Sequence, residues 1–174
     1  RSVTMMARTQ DQLIVSSFGQ PTAQDRYSMP FYSGGGGLYS TVETYGRVLQ
    51  MLLSAGTANG SQVLAAKTVE SMFHNHIGEL RPKALVTQVP EVSNEADLAF
   101  GASATFGLGL LIHPEGLPSG RRANTGSWAG LFNTYYWIDR ESDLYGIFGT
   151  QILPFYDAAT ISTLAGFEQA VYSD

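Results

Sequence analysis

An antiparallel β-sheet flanked by helices, an α/β arrangement of the α+β type, is the fold that this 174-residue chain predicts. Three observations predict it: an apolar stripe at helical spacing over residues 41–54, three β-prone stretches between residues 106 and 152, and a second helical pattern after Pro154. With 44% hydrophobic and 14% charged residues, the chain has apolar surface for a core and too little charge for disorder. A formal net charge of −5 opposes binding to phosphate backbones or anionic lipid, and no basic run exceeds Arg121-Arg122. Neither nucleic acid nor membrane is an expected partner. The longest apolar run, Leu108 to Ile112, is far short of the roughly 20 residues that span a bilayer, so a soluble product is expected, with no compartment assigned.

Taken in order, the first 32 residues mix short apolar stretches such as Leu13-Ile14-Val15 with Gly19, Pro21 and Pro30, which predicts loop with one short strand. Gly34 to Gly37 reads as a flexible turn. Ser40-Thr41-Val42-Glu43 has the capping-box pattern, so a helix is expected over 41–54. Its apolar stripe is Val42, Tyr45, Val48, Leu49, Leu52 and Leu53, with Gly56 placed to cap the end. A second helix is expected from Ala65 to about Asn75, with Val69, Met72 and Phe73 facing inward. Residues 77–105 hold two prolines and little periodicity, which predicts a long excursion of the kind used as a lid or binding segment.

The β-prone stretches are Phe106–Ile112, Leu131–Ile138 and Leu144–Ile152, the last two joined by the polar turn 139–143. They read as neighbouring antiparallel strands. Asp157 is a good N-cap for a terminal helix burying Ile161, Leu164, Ala165 and Val171. No internal repeat or second domain boundary is visible.

Several chemistries are excluded by inspection. Cysteine is absent, which removes disulfides, thiolate nucleophiles and thiolate metal sites. There is no Ser-x-x-Lys nucleophile motif, no Gly-x-Ser-x-Gly elbow and no Walker-type phosphate loop. His74, His76 and His113 read as surface or helix-end histidines, so neither a metal site nor a cofactor is expected. The acidic cluster Asp139, Glu141 and Asp143 reads as a solvated turn. Asn124-Thr125-Gly126-Ser127-Trp128-Ala129-Gly130 is different, because small residues surround one tryptophan just before a β-prone run. Small residues allow close approach to a backbone, and free N–H groups at a strand edge can stabilise an oxyanion. On residue types alone, a tight turn with a core tryptophan is the commoner outcome.

Gly34-Gly-Gly-Gly-Leu-Tyr-Ser-Thr41 and the helix after it resemble the segment preceding a helix in class C β-lactamase-like proteins. Trp128-Ala-Gly-Leu-Phe-Asn-Thr-Tyr-Tyr-Trp-Ile-Asp139 resembles the Trp-Gly-Gly strand that family VIII carboxylesterases and related acyltransferases carry in place of Lys-Thr-Gly. With Phe106-Gly-Leu-Gly-Leu, the resemblance runs from Ser33 to Tyr172. It implies a β-lactamase/transpeptidase-like fold of the penicillin-binding-protein superfamily, of which residues 1–174 are the C-terminal part of one catalytic domain. The start at Arg1, without an initiator Met, reads the same way. The N-terminal half, as a separate or excised chain, is then the expected partner and supplies the serine nucleophile.

By the resemblance, Trp128, Ala129 and Gly130 line the substrate site beside that serine, and the N–H of Leu131 is the second oxyanion donor. In an alternative register, Asn124-Thr125-Gly126-Ser127 lies on Lys-Thr-Gly-Ser and the donor is Ser127. Neither register places a lysine at the first position. A neutral ester or thioester substrate is therefore expected over a β-lactam carboxylate, with Arg121 and Arg122 available to compensate in part. Ala129 for the usual glycine and Arg140 for the usual proline are departures. The implied function is a serine-dependent acyl hydrolase or acyltransferase on small ester or amide substrates. The rivals are a non-catalytic binding protein on the same scaffold and a β-lactamase or peptidase.

Overall fold

The computed structural model describes residues 3–10, 12–18, 35 and 38–173. The expected glycine-run turn lies outside the described residues except for Gly35. The first segment holds two strands, β1 (Met6–Thr9) and β2 (Gln12–Val15), paired antiparallel with Ala7 opposite Ile14. Only one strand was expected there. Four-residue strands show too little alternation to register, and the reversal rests on Gln10, whose φ of 52° is left-handed.

Helix α1 spans Val42–Leu53. Its N-cap is Thr41, whose Oγ1 accepts from the Thr44 N–H at 3.1 Å. The expected capping box on Ser40 therefore gives way to a cap one residue later, which leaves Glu43 to pair with Arg47 on the surface. The helix ends with Ala55 in the left-handed region, Gly56 N–H donating to Met51 C=O and Ala55 N–H to Leu52 C=O. Leu49 and Leu52 are buried, but Val42, Tyr45 and Val48 are exposed. Half of the predicted stripe thus faces away from this chain's core.

A short hairpin of β3 (Thr57–Ala58) and β4 (Ser61–Gln62) turns on Asn59-Gly60, both at positive φ. Helix α2 (Ala66–Met72) is shorter than expected, because Met72 C=O and His76 N–H are diverted to bonds with Leu108 and Phe106. It buries Val69, and Phe73 beyond its end is buried too. Residues 77–104 contain no named element, and isolated bridges Leu85↔Ala96 and Ser93↔Phe155 tie them down.

The main sheet has the order β5-β6-β7-β8-β9, antiparallel throughout: β5 (Thr105–Phe106), β6 (Leu111–His113), β7 (Thr125–Gly130), β8 (Thr134–Asp139) and β9 (Leu144–Phe148). The single strand expected over Phe106–Ile112 is broken where Gly107 N–H donates to Leu110 C=O and Gly109 adopts a φ of 79°. The strand expected over Leu131–Ile138 starts three residues later, since Leu131, Phe132 and Asn133 form the turn out of β7. Strand β10 (Ile152–Leu153) pairs in parallel with β1, and α3 (Ala158–Val171) closes the fold. Asp157 caps α3 by accepting the Thr160 N–H at 2.9 Å, as predicted.

Period-two alternation sends the sheet's side chains into two cores. Leu110, Ile112 and Ile138 pack with Leu49, Leu52, Val69 and Phe73 on the α1/α2 side. Tyr135 and Trp137 pack with Ala96, Phe155 and Leu164 on the α3 side. Gly146 is where β9 passes the Trp137 indole, and a Cβ there would overlap the ring. Gly146→Ala is expected to cost about 2–3 kcal/mol by overpacking, read as a lowered midpoint in urea unfolding. An unchanged midpoint would show that the fully buried Trp137 can yield.

Candidate active site

The residues singled out in the sequence come together at the end of β7. Thr125, Gly126 and Ser127 are interior to the sheet, paired with His113, Ile112 and Leu111 of β6. Trp128, Ala129 and Gly130 pair only with Tyr136, Tyr135 and Thr134 of β8, because β6 begins at Leu111. Among the described residues, no strand lies against their other edge. The segment is therefore a strand with a half-open edge and not the tight turn its small residues suggested, and its tryptophan is 38% exposed and not core. Leu131, in the turn, is 41% exposed, whereas Ser127 is 5% exposed between Leu111 and Trp137.

The turn fixes one donor's direction. Asn133 N–H donates to Gly130 C=O at 3.0 Å, with Asn133 at a φ of 59°. That carbonyl points across the turn toward β8. A trans planar peptide sets its N–H opposite its carbonyl, so the Leu131 N–H points away from β8, toward the open edge.

Trp128 emerges on the α1/α2 side, its ring edge-to-face with Phe106 at 5.2 Å between centroids. Beside it, Tyr136 meets Tyr45 of α1 edge-to-face at 5.5 Å. Burial, then the neighbouring Tyr45, pushes the Tyr136 phenol above its ordinary value, so it stays a neutral donor. Phe106, Tyr136 and Tyr45 carried no sequence signal as site neighbours; only the register of β7 on β8 reveals them.

On the opposite side, three expectations are corrected. His113, expected at the surface, is fully buried in β6, its Nε2 3.3 Å from Ser127 Oγ. A strand of three residues, as β6 is, carries too little alternation to mark a buried position. Burial first, then the Arg121 cation, lowers its pKa to about 4, against a small opposing pull from Asp97. Asp139, expected in a solvated turn, is fully buried and accepts from Arg122 N–H, Ser142 N–H and Tyr172 OH, at 2.9, 3.0 and 2.8 Å. Arg121, expected as a cation for substrate, is 3% exposed and paired with Glu168 of α3. Its guanidinium lies 4.8 Å from the Trp137 ring centroid, so its charge is already met. Arg122 is exposed, but its backbone serves Asp139, six residues before Trp128.

The histidine makes a pH prediction. Unfolded His113 titrates near 6.5 and the folded group near 4, so between those values the unfolded chain binds more protons. Stability is full above pH 6.5 and falls as pH drops, by about 3 kcal/mol at pH 4. Unfolding free energies of wild type and His113→Gln from urea titrations, matched above pH 6.5, should diverge by about that amount at pH 4. Parallel curves would place the pH dependence elsewhere.

Among the described residues, no three His, Asp or Glu side chains are grouped to hold a metal, and no helix is long and apolar enough to cross a membrane.

Comparison with known proteins agrees with this architecture. The chain is 28% identical over 147 residues to Protein Rv1367c of Mycobacterium tuberculosis strain H37Rv, a match covering 78% of this chain and 33% of that protein. Its fold matches unliganded Simvastatin Synthase (LovD) from Aspergillus terreus, with a TM-score of 0.71 at 22% identity, covering 98% of this chain and 41% of that one. The LovD6 mutant of the same synthase matches with a TM-score of 0.74 at 23% identity, with the same coverage. The chain thus spans about a third of the curated relative's length and two fifths of the synthase's, and shares the β-lactamase/transpeptidase-like fold. The Beta-lactamase family model matches residues 4–166, and the chain belongs to that family.

Proposed function

We propose that this chain forms one wall of a serine-dependent acyl hydrolase or acyltransferase whose nucleophile comes from polypeptide outside residues 1–174. One observation carries the proposal: the edge of β7 is open at Trp128, Ala129 and Gly130, with the Leu131 N–H directed to that edge. As the serine oxygen adds to an ester carbonyl, a base from the same polypeptide outside residues 1–174 takes the hydroxyl proton and later passes it to the departing alkoxide, and the carbonyl oxygen becomes an oxyanion. The Leu131 N–H donates to it, and its collapse expels the alcohol and leaves an acyl-enzyme. Water or a second alcohol then adds to the acyl carbonyl and releases the serine. Trp128, backed by Phe106, lines the substrate site on the α1/α2 face.

Burial of Ser127 supports the tryptophan register, because the amide of the alternative donor lies between two neighbouring strands. The corrected place of Arg121 supports a neutral substrate. A β-lactam carboxylate needs a cation near the third motif, and Arg121 is already paired with Glu168. The exposed Val42, Tyr45 and Val48 of α1, with Leu108, Leu131 and Trp128, supply an apolar surface for the rest of the domain.

The test uses the full-length protein containing this segment. It is expected to hydrolyse a short-chain nitrophenyl ester faster than a chromogenic cephalosporin. The reverse order makes it a lactam hydrolase, and silence toward both favours the binding-protein reading.

A further inference from the structure

Behind the open edge of β7 lies a gap with room for about one water, lined by Leu98, Phe100, Arg121, Ser127, Trp128 and Ala129. On the other side of Phe100, between the 117–119 loop and α3, is a cleft of about 220 Å³. Its apolar wall is Leu117, Pro118, Ile161, Leu164 and Ala165. The one carboxylate on its lining, Glu168, is already paired with Arg121 and Ser119. Among the described residues, Phe100 alone lines both spaces.

Phe100 is held in an unusual way. Its φ is 54°, and that of Tyr156 is 60°, left-handed values that aromatic residues rarely adopt. The two rings stack on each other at 6.3 Å. Asp97 fastens the turn, its carboxylate accepting Ala99 N–H at 3.0 Å and Gly101 N–H at 2.8 Å, while Tyr156 OH donates to the Asp97 carbonyl at 2.8 Å. Gly101, with a φ of 74°, follows directly. Strained backbone persists where its surroundings over-determine it, and such strain gathers at ligand clamps and switches. Here it fixes one ring between a candidate acyl site and an apolar cleft.

We infer that the cleft receives the distal part of an aliphatic acyl chain and that Phe100 is the specificity-determining gate between it and the β7 edge. The inference rests on the proposed acyl chemistry for the word acyl, but the cleft's affinity for an aliphatic chain stands apart from it. A cavity of this volume exceeds the roughly 150 Å³ known to admit benzene-sized apolar ligands. It offers no uncompensated charge to a polar one.

Two measurements on the full-length protein test it. First, kcat/KM is compared for nitrophenyl decanoate and acetate. Phe100→Ala should raise the decanoate-to-acetate ratio about tenfold, the effect of burying roughly two more methylenes, and Ala165→Phe, which fills the cleft, should lower it by a similar factor. Second, calorimetry with 1-octanol should show binding to the wild type that Ala165→Phe weakens about tenfold. Absent octanol binding, or binding indifferent to Ala165→Phe, overturns the inference, as does an ester ratio unmoved by both variants. A protein silent toward every ester that still binds octanol in the expected way keeps the cleft and sinks the acyl-transfer reading alone.

Discussion

Leu131→Pro is expected to lower kcat by roughly 10²–10³-fold while leaving the fold intact. Proline removes one atom group from the proposed chemistry, the N–H aimed at the open edge. Its position tolerates it. Leu131 follows Gly130 in a turn closed by the Asn133 N–H, so it occupies the second place of a four-residue turn, where proline's fixed φ is favoured. The residue before a proline must be extended, and Gly130 already is, as the last residue of β7. Thermal unfolding should therefore be unchanged or rise slightly, since proline restricts the unfolded chain. KM should move little if the N–H acts mainly in the transition state. Leu131→Ala keeps the N–H and should retain most activity, which separates the backbone from the side chain. A fully active proline variant would remove Leu131 from the chemistry and reopen the Ser127 register.

The same turn shows what was legible in the sequence and what was not. Helix α3 was readable because an N-cap aspartate and helical spacing agree, and α1 because its apolar residues recur over three turns. The meander was readable as three β-prone stretches, though not its boundaries, because Leu131-Phe132-Asn133 has strand-like composition up to an asparagine that adopts a left-handed φ. β7 ran the other way: glycine, serine and alanine have low strand propensity, and tertiary context overrides it. Gly126 fits there because Phe73 and Leu110 occupy the space a side chain would need. The burial of His113 and Asp139 was invisible, since one polar residue carries no periodicity. The aromatic setting of Trp128 depended on pairing between strands, which no local pattern reports.

The largest expected effect on stability lies in the ion pair behind the sheet. Arg121 and Glu168 are each 3% exposed, and Glu168 also accepts the Ser119 hydroxyl. Two further Arg121 nitrogens, Nε and Nη1, are buried with no hydrogen-bond partner among the described residues. The guanidinium thus has little besides Glu168 and the Trp137 and Phe100 rings to replace its hydration. Glu168→Leu removes the compensating charge but cannot remove the cation, because arginine does not deprotonate in proteins. The expected loss is about 3–5 kcal/mol in urea unfolding. Arg121→Met combined with Glu168→Leu should recover most of that loss, since two apolar side chains of similar volume carry no desolvation penalty. The recovery is the decisive reading. If the double variant is as unstable as Glu168→Leu, the pair contributes through its attraction and hydrogen bonds. If it is nearly wild type, the pair's contribution is not bulk stability but the fixing of α3 against the loop that leads into β7.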